Sequence, residues 1–150
     1  MLPILHGVHG EDGTIQGYFD TLEIPYAGGG VLDSALCMDK HFMKIVLQAA
    51  GVPVSPWVTV TQERWDRDPE GVRADAAALG EPSFVKPARA GSSVGVSKVH
   101  DSSELAGALE LAFAEDDKVL IESAIVGREV EVAILEGRGC LLYTSPSPRD

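Results

Sequence analysis

The chain has 150 residues, and its content of 45% hydrophobic and 23% charged residues is ordinary for a soluble globular protein. Its formal net charge of −11 argues against sequence-independent binding to a nucleic-acid backbone or to an anionic membrane. Cys37 and Cys140 lack the spacing of a zinc site or a disulfide framework. No apolar run reaches the length of a membrane span, and we expect a cytoplasmic protein.

The first predicted elements are a strand, a turn and a helix. Leu2 to Leu5 resemble the end of a strand, and a glycine-rich turn from His6 to Gly13 follows. The next apolar residues have helical spacing: Ile15, Tyr18, Phe19 and Leu22. Glycines that precede a helix N-terminus form a corner that suits an anion. The run Gly28-Gly29-Gly30 then predicts a break.

Two capped helices are predicted after this break. Ser34 is expected to cap a short helix and Asp39 a second one. The apolar face of the second helix consists of Phe42, Ile45, Val46 and Ala49. Gly51 and Pro53 end this helix.

Strands and helices alternate through the middle of the chain, which predicts an α+β or α/β fold with an antiparallel hairpin. The predicted strands are 57–60, 83–86, 94–99, 119–122 and 128–135, and Glu129 and Glu131 share one face of the last of them. Helices are predicted at 69–79 and after the acidic capping box 101–104. The buried stripe of the latter helix is Leu105, Ala108, Leu109 and Ala112.

The stretch from Val85 to Val96 combines a strand, a lysine and a loop of small residues. Glycine and serine let the backbone approach a phosphate closely, and Lys86 adds positive charge. The lysine precedes the glycine, so this is not the phosphate loop G-x-x-x-x-G-K-[ST]. Spacing alone fits a phosphate clamp and an ordinary hairpin turn equally well.

The last stretch, Cys140 to Asp150, has no apolar period and contains two Ser-Pro pairs. It is similar to a translated sequencing adapter and follows a strand that we expect to end without a partner. We therefore interpret residues 140–150 as a non-native tail and exclude them from the fold.

Six motifs in chain order make the sequence resemble the D-alanine–D-alanine ligase family of the ATP-grasp superfamily. They are L-H-G-x-x-G-E-D-G-T-I-Q-G, P-Y-A-G-G-G-V, A-L-C-M-D-K, V-K-P-A-R-A-G-S-S-V-G-V-S-K-V, V-L-I-E and R-E-V-E-V-A-I-L. The resemblance runs from Leu5 to about Leu135 and favours the phosphate clamp over the plain turn.

The resemblance implies an ATP-dependent reaction for peptidoglycan synthesis. One D-alanine is phosphorylated on its carboxylate, and the amine of a second attacks the acyl phosphate. The implied cofactors are ATP and Mg²⁺ (or Mn²⁺), and the implied assembly is a homodimer. A carboxylate must attack a polyanion, so catalysis depends on cations and aligned donors.

The resemblance also assigns roles to individual residues. Lys40 and Lys86 correspond to the two lysines that reach the ATP phosphates. The loop that closes over the phosphates corresponds to Gly91, Ser92 and Ser93, and Ser92 also orients the substrates.

Further residues are matched to the nucleoside and to D-alanine. Glu122 and Glu129 correspond to acidic residues near the adenine and ribose. The segment Ser123-Ala124-Ile125 is expected to present backbone groups to the adenine and to form the hinge to the next domain. His6 and Glu11 correspond to the turn beside the D-alanine pocket.

We expect four segments: the end of an N-terminal substrate domain (1–36), a central ATP-grasp domain (37–122), the hinge with the first strand of a C-terminal domain (123–139), and the tail (140–150). The fold is therefore expected to be truncated at both ends, without the metal ligands, and inactive as a 150-residue chain. The alternatives are another carboxylate–amine ligase, such as a D-Ala–D-lactate type, and a non-catalytic nucleotide-binding module.

Overall fold

The computed structural model describes residues 1–128, 130–135 and 141–145. Six helices and six strands lie in these residues. The helices are α1 (Thr14–Thr21), α2 (Val31–Met38), α3 (Lys40–Ala49), α4 (Gln62–Arg67), α5 (Pro69–Ala78) and α6 (Leu105–Phe113). The strands are β1 (Trp57–Thr61), β2 (Ser83–Pro87), β3 (Ser97–Val99), β4 (Lys118–Ser123), β5 (Glu131–Leu135) and β6 (Leu141–Ser145).

Four of the strands form one antiparallel sheet in the order β1-β4-β2-β3. Because successive side chains of a strand point to opposite faces, the register sorts the sheet into two faces. One face is apolar and packs against α5 and α6. The fully buried residues of this core, from the sheet and from the two helices, include Val60, Val72, Val85, Leu109, Val119 and Ile121. This core confirms the mixed α/β class and the predicted stripe of α6, whose four residues are all buried.

The opposite face of the sheet is partly polar. Its central row joins Trp57 of β1, Glu122 of β4 and Phe84 of β2, and Lys86 follows in the next row. The apolar face therefore packs in the core, and the opposite face carries the polar side chains.

Helix α3 is oriented differently from the prediction. Asp39 caps it as expected, accepting hydrogen bonds from the N–H groups of His41 and Phe42. The predicted apolar face is nevertheless exposed at every position: Phe42, Ile45, Val46 and Ala49. The buried residue of the helix is Lys44. The charged side faces inward because β4 offers the buried carboxylate of Glu122, and the segments next to β1 and β2 offer backbone carbonyl groups, to its lysines.

The N-terminal region differs from the prediction in two places. Residues Leu2–Leu5 are not a strand, since no strand pairs with them among the described residues, and a single strand is not stable alone. Ser34 does not cap a helix. Helix α2 begins at Val31, and the side chain of Asp33 accepts a hydrogen bond from the Gly30 N–H.

Two predicted strands are corrected in length, and one of them also in pairing. The strand predicted at 94–99 is shortened to Ser97–Val99, because a turn occupies residues 92–95, and the strand predicted at 128–135 begins at Glu131. Strand β5 also has a partner, β6, inside the segment interpreted as a tail. The interpretation of residues 140–150 as a non-native tail stays a prediction.

The segment boundaries stay a prediction, although α2 runs across the one placed between residues 36 and 37. Helix α4 was not predicted from the sequence. Within the described ranges, no helix is both long and apolar enough to cross a bilayer.

Candidate functional site

The polar face of the sheet carries a cavity of about 380 Å³. Its floor includes Phe84 and Lys86 of β2, and Lys40 of α3 lines its side. The glycine–serine loop, residues 90–95, covers it with Gly91, Ser92 and Ser93. Both lysines and all three loop residues predicted for the phosphates therefore lie around one cavity.

Lys40 is held against the start of this loop. Its ammonium group donates to the carbonyl of Ala88 at 3.3 Å and to that of Ala90 at 2.5 Å. Its backbone N–H also donates to the Ala88 carbonyl at 3.0 Å. Burial and the nearby charge of Lys86 lower the pKa of Lys40 below 10.5. Two ammonium groups thus lie around the same cavity.

The glycine–serine loop has an unusual backbone. Ser92 and Ser93 have φ values of 50° and 60°, in the left-handed region that residues other than glycine rarely adopt. Such strain persists where the surroundings impose it, and it is concentrated at ligand-binding sites. The loop joins β2 to β3, so the hairpin reading describes its topology correctly.

Both ends of the loop are anchored to the turn between α6 and β4. At one end, the Arg89 N–H donates to Asp116 Oδ2 at 2.7 Å, and the guanidinium binds the same carboxylate and Asp117. At the other end, a Cβ atom at Gly95 would lie 2.8 Å from Pro87 Cγ and 3.0 Å from Glu115 Cγ. Around Gly91 a Cβ would meet nothing within 4 Å. The loop is therefore hydrogen-bonded beside its start at Arg89 and closely packed at Gly95, with open space beside Gly91.

Arg89 and Asp116 form a strong ion pair. Burial alone would raise the pKa of Asp116, but the hydrogen bonds from Arg89 and from the N–H of Lys118 bring it below 3.8. The same pair raises the pKa of Arg89 above its ordinary value. The two groups are therefore charged at neutral pH.

Glu122 lies beside the cavity-lining residues Phe84 and Lys86 and is the counter-ion of Lys86. Lys86 Nζ is 2.6 Å from Glu122 Oε2, and Lys44 Nζ is 3.3 Å from Glu122 Oε1. The side chain of Glu122 is 9% exposed. Its predicted role near the adenine and ribose stays a prediction, and in this structure both of its oxygens contact lysines.

The other residues matched to the nucleoside lie at the end of β4. Ser123 donates through its hydroxyl to the Leu79 carbonyl and through its N–H to the Pro56 carbonyl. Ala124 N–H donates to the Pro82 carbonyl, and Ile125 is exposed. Glu129 lies outside the described residues.

His6 and Glu11 line a different cavity, of about 500 Å³, with the glycines at 28 and 29. Glu11 Oε2 accepts from the Gly7 N–H at 2.6 Å, and His6 Nδ1 is 4.0 Å from Glu11 Oε1. The structure does not place these residues at the cavity that the lysines line.

Sequence reasoning missed Lys44, Ser55 and the Arg89–Asp116 anchor. Lys44 is four residues after Lys40 and therefore shares its helix face, a signal that the apolar pattern of α3 concealed. The other contacts join residues far apart in the sequence, so no local pattern indicates them.

Comparisons with known proteins identify the family of the chain. A family model described as "D-ala D-ala ligase C-terminus" matches residues 46–144. The chain is 55% identical over 139 residues to the D-alanine–D-alanine ligase of Pseudarthrobacter chlorophenolicus, covering 93% of this chain and 36% of that protein.

Two solved structures have the same fold. The VanG D-Ala:D-Ser ligase of Enterococcus faecalis has a TM-score of 0.85 at 41% identity, covering 94% of this chain and 40% of that one. The D-alanine–D-alanine ligase of Coxiella burnetii has a TM-score of 0.85 at 35% identity, covering 99% of this chain and 46% of that one.

The sheet, the helices on its apolar face and the loop over the lysines define an ATP-grasp fold. Because the family model matches more than half of the chain, the chain belongs to the D-alanine–D-alanine ligase family. It spans about a third of the length of the curated relatives it matches.

Proposed function

We propose that this chain forms the phosphate-binding part of a protein that joins two D-alanine molecules at the expense of ATP, through a D-alanyl phosphate, for peptidoglycan synthesis, and that the 150 residues alone are inactive. Membership of the family supports the reaction, and one structural observation supports the phosphate site. Lys40 and Lys86 line a cavity that the glycine–serine loop covers. Ammonium groups and a loop of small residues are the donors that a polyphosphate requires.

In this proposal the lysines bind and orient the phosphates. Two cations lower the repulsion between the attacking carboxylate and the polyanion, and they stabilise charge that moves to the leaving oxygen. The backbone and hydroxyl groups of Ser92 and Ser93 donate to the phosphates from above. Closure of the loop excludes water, which would otherwise hydrolyse the acyl phosphate.

Mg²⁺ (or Mn²⁺) is the metal that the family implies. Within the described ranges, no cluster of three or more metal-ligating side chains is present, and the side chains at the cavity are lysines, serines and apolar groups. These residues suit phosphate and not a divalent cation. We therefore assign no step of the reaction to a metal held by them.

The remaining assignments follow the family resemblance. His6 and Glu11 are proposed to lie beside D-alanine, Glu122 and Glu129 near the nucleoside, and Ser123 to Ile125 at the adenine edge. A homodimer and a cytoplasmic location, where ATP is abundant, complete the proposal.

A chimera tests the reaction. The 139 residues that match the ligase of P. chlorophenolicus would replace the corresponding segment of that enzyme. We expect the chimera to release ADP only when D-alanine is present and to form the dipeptide. A folded chimera that binds ATP without forming the dipeptide would contradict the proposal and favour a non-catalytic nucleotide-binding module.

A second candidate is a ligase with another acceptor, such as D-serine or D-lactate. The observation in its favour is the 41% identity to a D-Ala:D-Ser ligase. The chimera and its parent would be offered D-alanine with each competitor, and the products would be compared. A mixed product formed by the chimera alone would assign acceptor choice to this segment.

Lys40 gives ATP binding a predictable pH dependence. Its lowered pKa in the free protein should rise when phosphate binds, so binding takes up a proton between the two values. The affinity for ATP is expected to fall as the pH rises through the free-state pKa, below the 10.5 of an ordinary lysine. Titration calorimetry in buffers of different ionisation enthalpy, between about pH 7 and 10, measures this uptake. Lys40→Arg should abolish it, since arginine stays charged; an unchanged uptake in this variant would contradict the assignment.

A further inference from the structure

Helix α3 buries an ammonium group that the proposed reaction does not use. The side chain of Lys44 is 8% exposed, whereas Lys40, one turn earlier, lines the cavity. Burial of an ammonium group is unfavourable unless its protons are hydrogen-bonded and its charge is paired. The contacts of Lys44 therefore indicate what it does.

Three acceptors surround the Lys44 ammonium group. It donates to Ser55 O at 3.0 Å and to Ser55 Oγ at 2.6 Å, and it lies 3.3 Å from Glu122 Oε1. The indole ring of Trp57 lies 5.2 Å from Nζ and adds a cation–π contact. Because an ammonium group has three protons, Lys44 is fully satisfied inside the protein and has no proton left for a ligand.

Glu122 divides its carboxylate between two lysines. Oε1 faces Lys44, while Oε2 is 2.6 Å from Lys86 Nζ and accepts from Ser55 Oγ at 3.4 Å. The side chain of Lys86 is 24% exposed and reaches the cavity. One negative charge is therefore shared by an internal cation and a cation that faces the proposed phosphate.

We propose that Lys44 is a positioning residue that sets the phosphate affinity of Lys86 through the carboxylate of Glu122, an inference that rests on the proposed function. Lys44 occupies one oxygen and part of the negative charge, so Lys86 is held loosely enough to be shared with a phosphate. Without Lys44, both oxygens and the whole charge of Glu122 attract Lys86, which then competes with the ligand.

The test is a double-mutant cycle on ATP binding. ATP with Mg²⁺ would be titrated calorimetrically into the full 150-residue chain and into Lys44→Met, Lys44→Arg, Glu122→Gln and Lys44→Met/Glu122→Gln. The control is Arg67→Met, which removes a positive charge from a side chain that is 72% exposed. Arg67 lies on α4, which packs on α5 and β1. Thermal unfolding of each variant identifies those that are folded.

We expect Lys44→Met to weaken ATP binding about tenfold, and Lys44→Arg to change it by less than about twofold. In the Glu122→Gln background, where no charge competes for Lys86, adding Lys44→Met should have an effect below about twofold. An equal loss in both backgrounds, or no loss in either, would overturn the proposal. A purely structural role of Lys44 predicts the equal loss.

If Lys44→Met does not fold, Lys44→Gln takes its place, because glutamine removes the charge and can still hydrogen-bond to Ser55. A loss of affinity in Lys44→Gln that disappears in the Glu122→Gln background supports the inference, and an equal loss in both backgrounds or no loss in either contradicts it. An unsubstituted chain that does not bind ATP would overturn the proposed phosphate site as well. Binding that Lys86→Met abolishes but Lys44→Met leaves unchanged would overturn this inference alone.

Discussion

Replacing Lys86 by methionine is expected to lower kcat/KM for ATP of the chimera by about 10²–10³-fold, the range for removing one donor aimed at developing charge. Lys86 lines the cavity. Among the described residues its ammonium group forms one ion pair, with the carboxylate of Glu122 at 2.6 Å. Methionine keeps much of the volume and removes the charge. Steady-state kinetics with varied ATP, together with ATP titration, measures the loss.

Two variants control this experiment. Lys86→Arg keeps the positive charge and should retain more activity than methionine, although its planar group fits a moving phosphate less well. Arg67→Met removes an exposed cation from α4 and should leave the kinetics unchanged. If Lys86→Met retains the kcat/KM of the parent while remaining folded, the phosphate-clamp assignment is wrong.

Replacing Asp116 by alanine is expected to reduce the free energy of unfolding by about 2–3 kcal/mol, because a buried carboxylate is removed from two backbone N–H donors and from a half-exposed guanidinium. The Asp116 side chain is 3% exposed and binds the Arg89 guanidinium. It also accepts from the N–H groups of Arg89 and Lys118 at 2.7 Å and 3.1 Å. The substitution leaves these donors without their acceptor and releases one end of the glycine–serine loop. Urea unfolding monitored by tryptophan fluorescence measures the change.

The matched control is Asp117→Ala, since Asp117 contacts the same guanidinium but its side chain is 82% exposed. Its effect should be below about 1 kcal/mol. The difference in the free energy of unfolding between the unsubstituted chain and Asp116→Ala also depends on pH. The folded-state pKa is below 3.8, so the contribution is complete above that value and is lost as the pH falls through the folded pKa. Equal effects of the two substitutions would contradict the assigned anchor.

Much of the fold could be predicted from local pattern. β-branched residues and their alternation predicted the strand Trp57–Val60, and the helical stripe of α6 was confirmed residue by residue. The family motifs identified Lys40, Lys86 and the loop from Gly91 to Ser93, and the structure brings all five to one cavity. Their binding roles stay predictions until a ligand is measured.

The errors share a cause. A hydrophobic pattern predicts which side of a helix is apolar, but it does not establish that this side is buried. In α3 the buried carboxylate of Glu122 attracts Lys44 inward and leaves Phe42 exposed. The pairing of β5 with β6 was not predicted for another reason: residues 140–150 were excluded because they lack an apolar period and are similar to a translated adapter.

The sequence by itself determined the family, the order of the central strands and helices, and which residues could meet a phosphate, because these depend on residue type and spacing. Only the tertiary structure decided how the charges are shared. Lys44, Lys86 and Glu122 lie on three different elements, and the antiparallel register aligns β2 with β4 so that one carboxylate lies between two ammonium groups. Coulombic interaction and burial act through space, and the spacing of residues along the chain does not encode them.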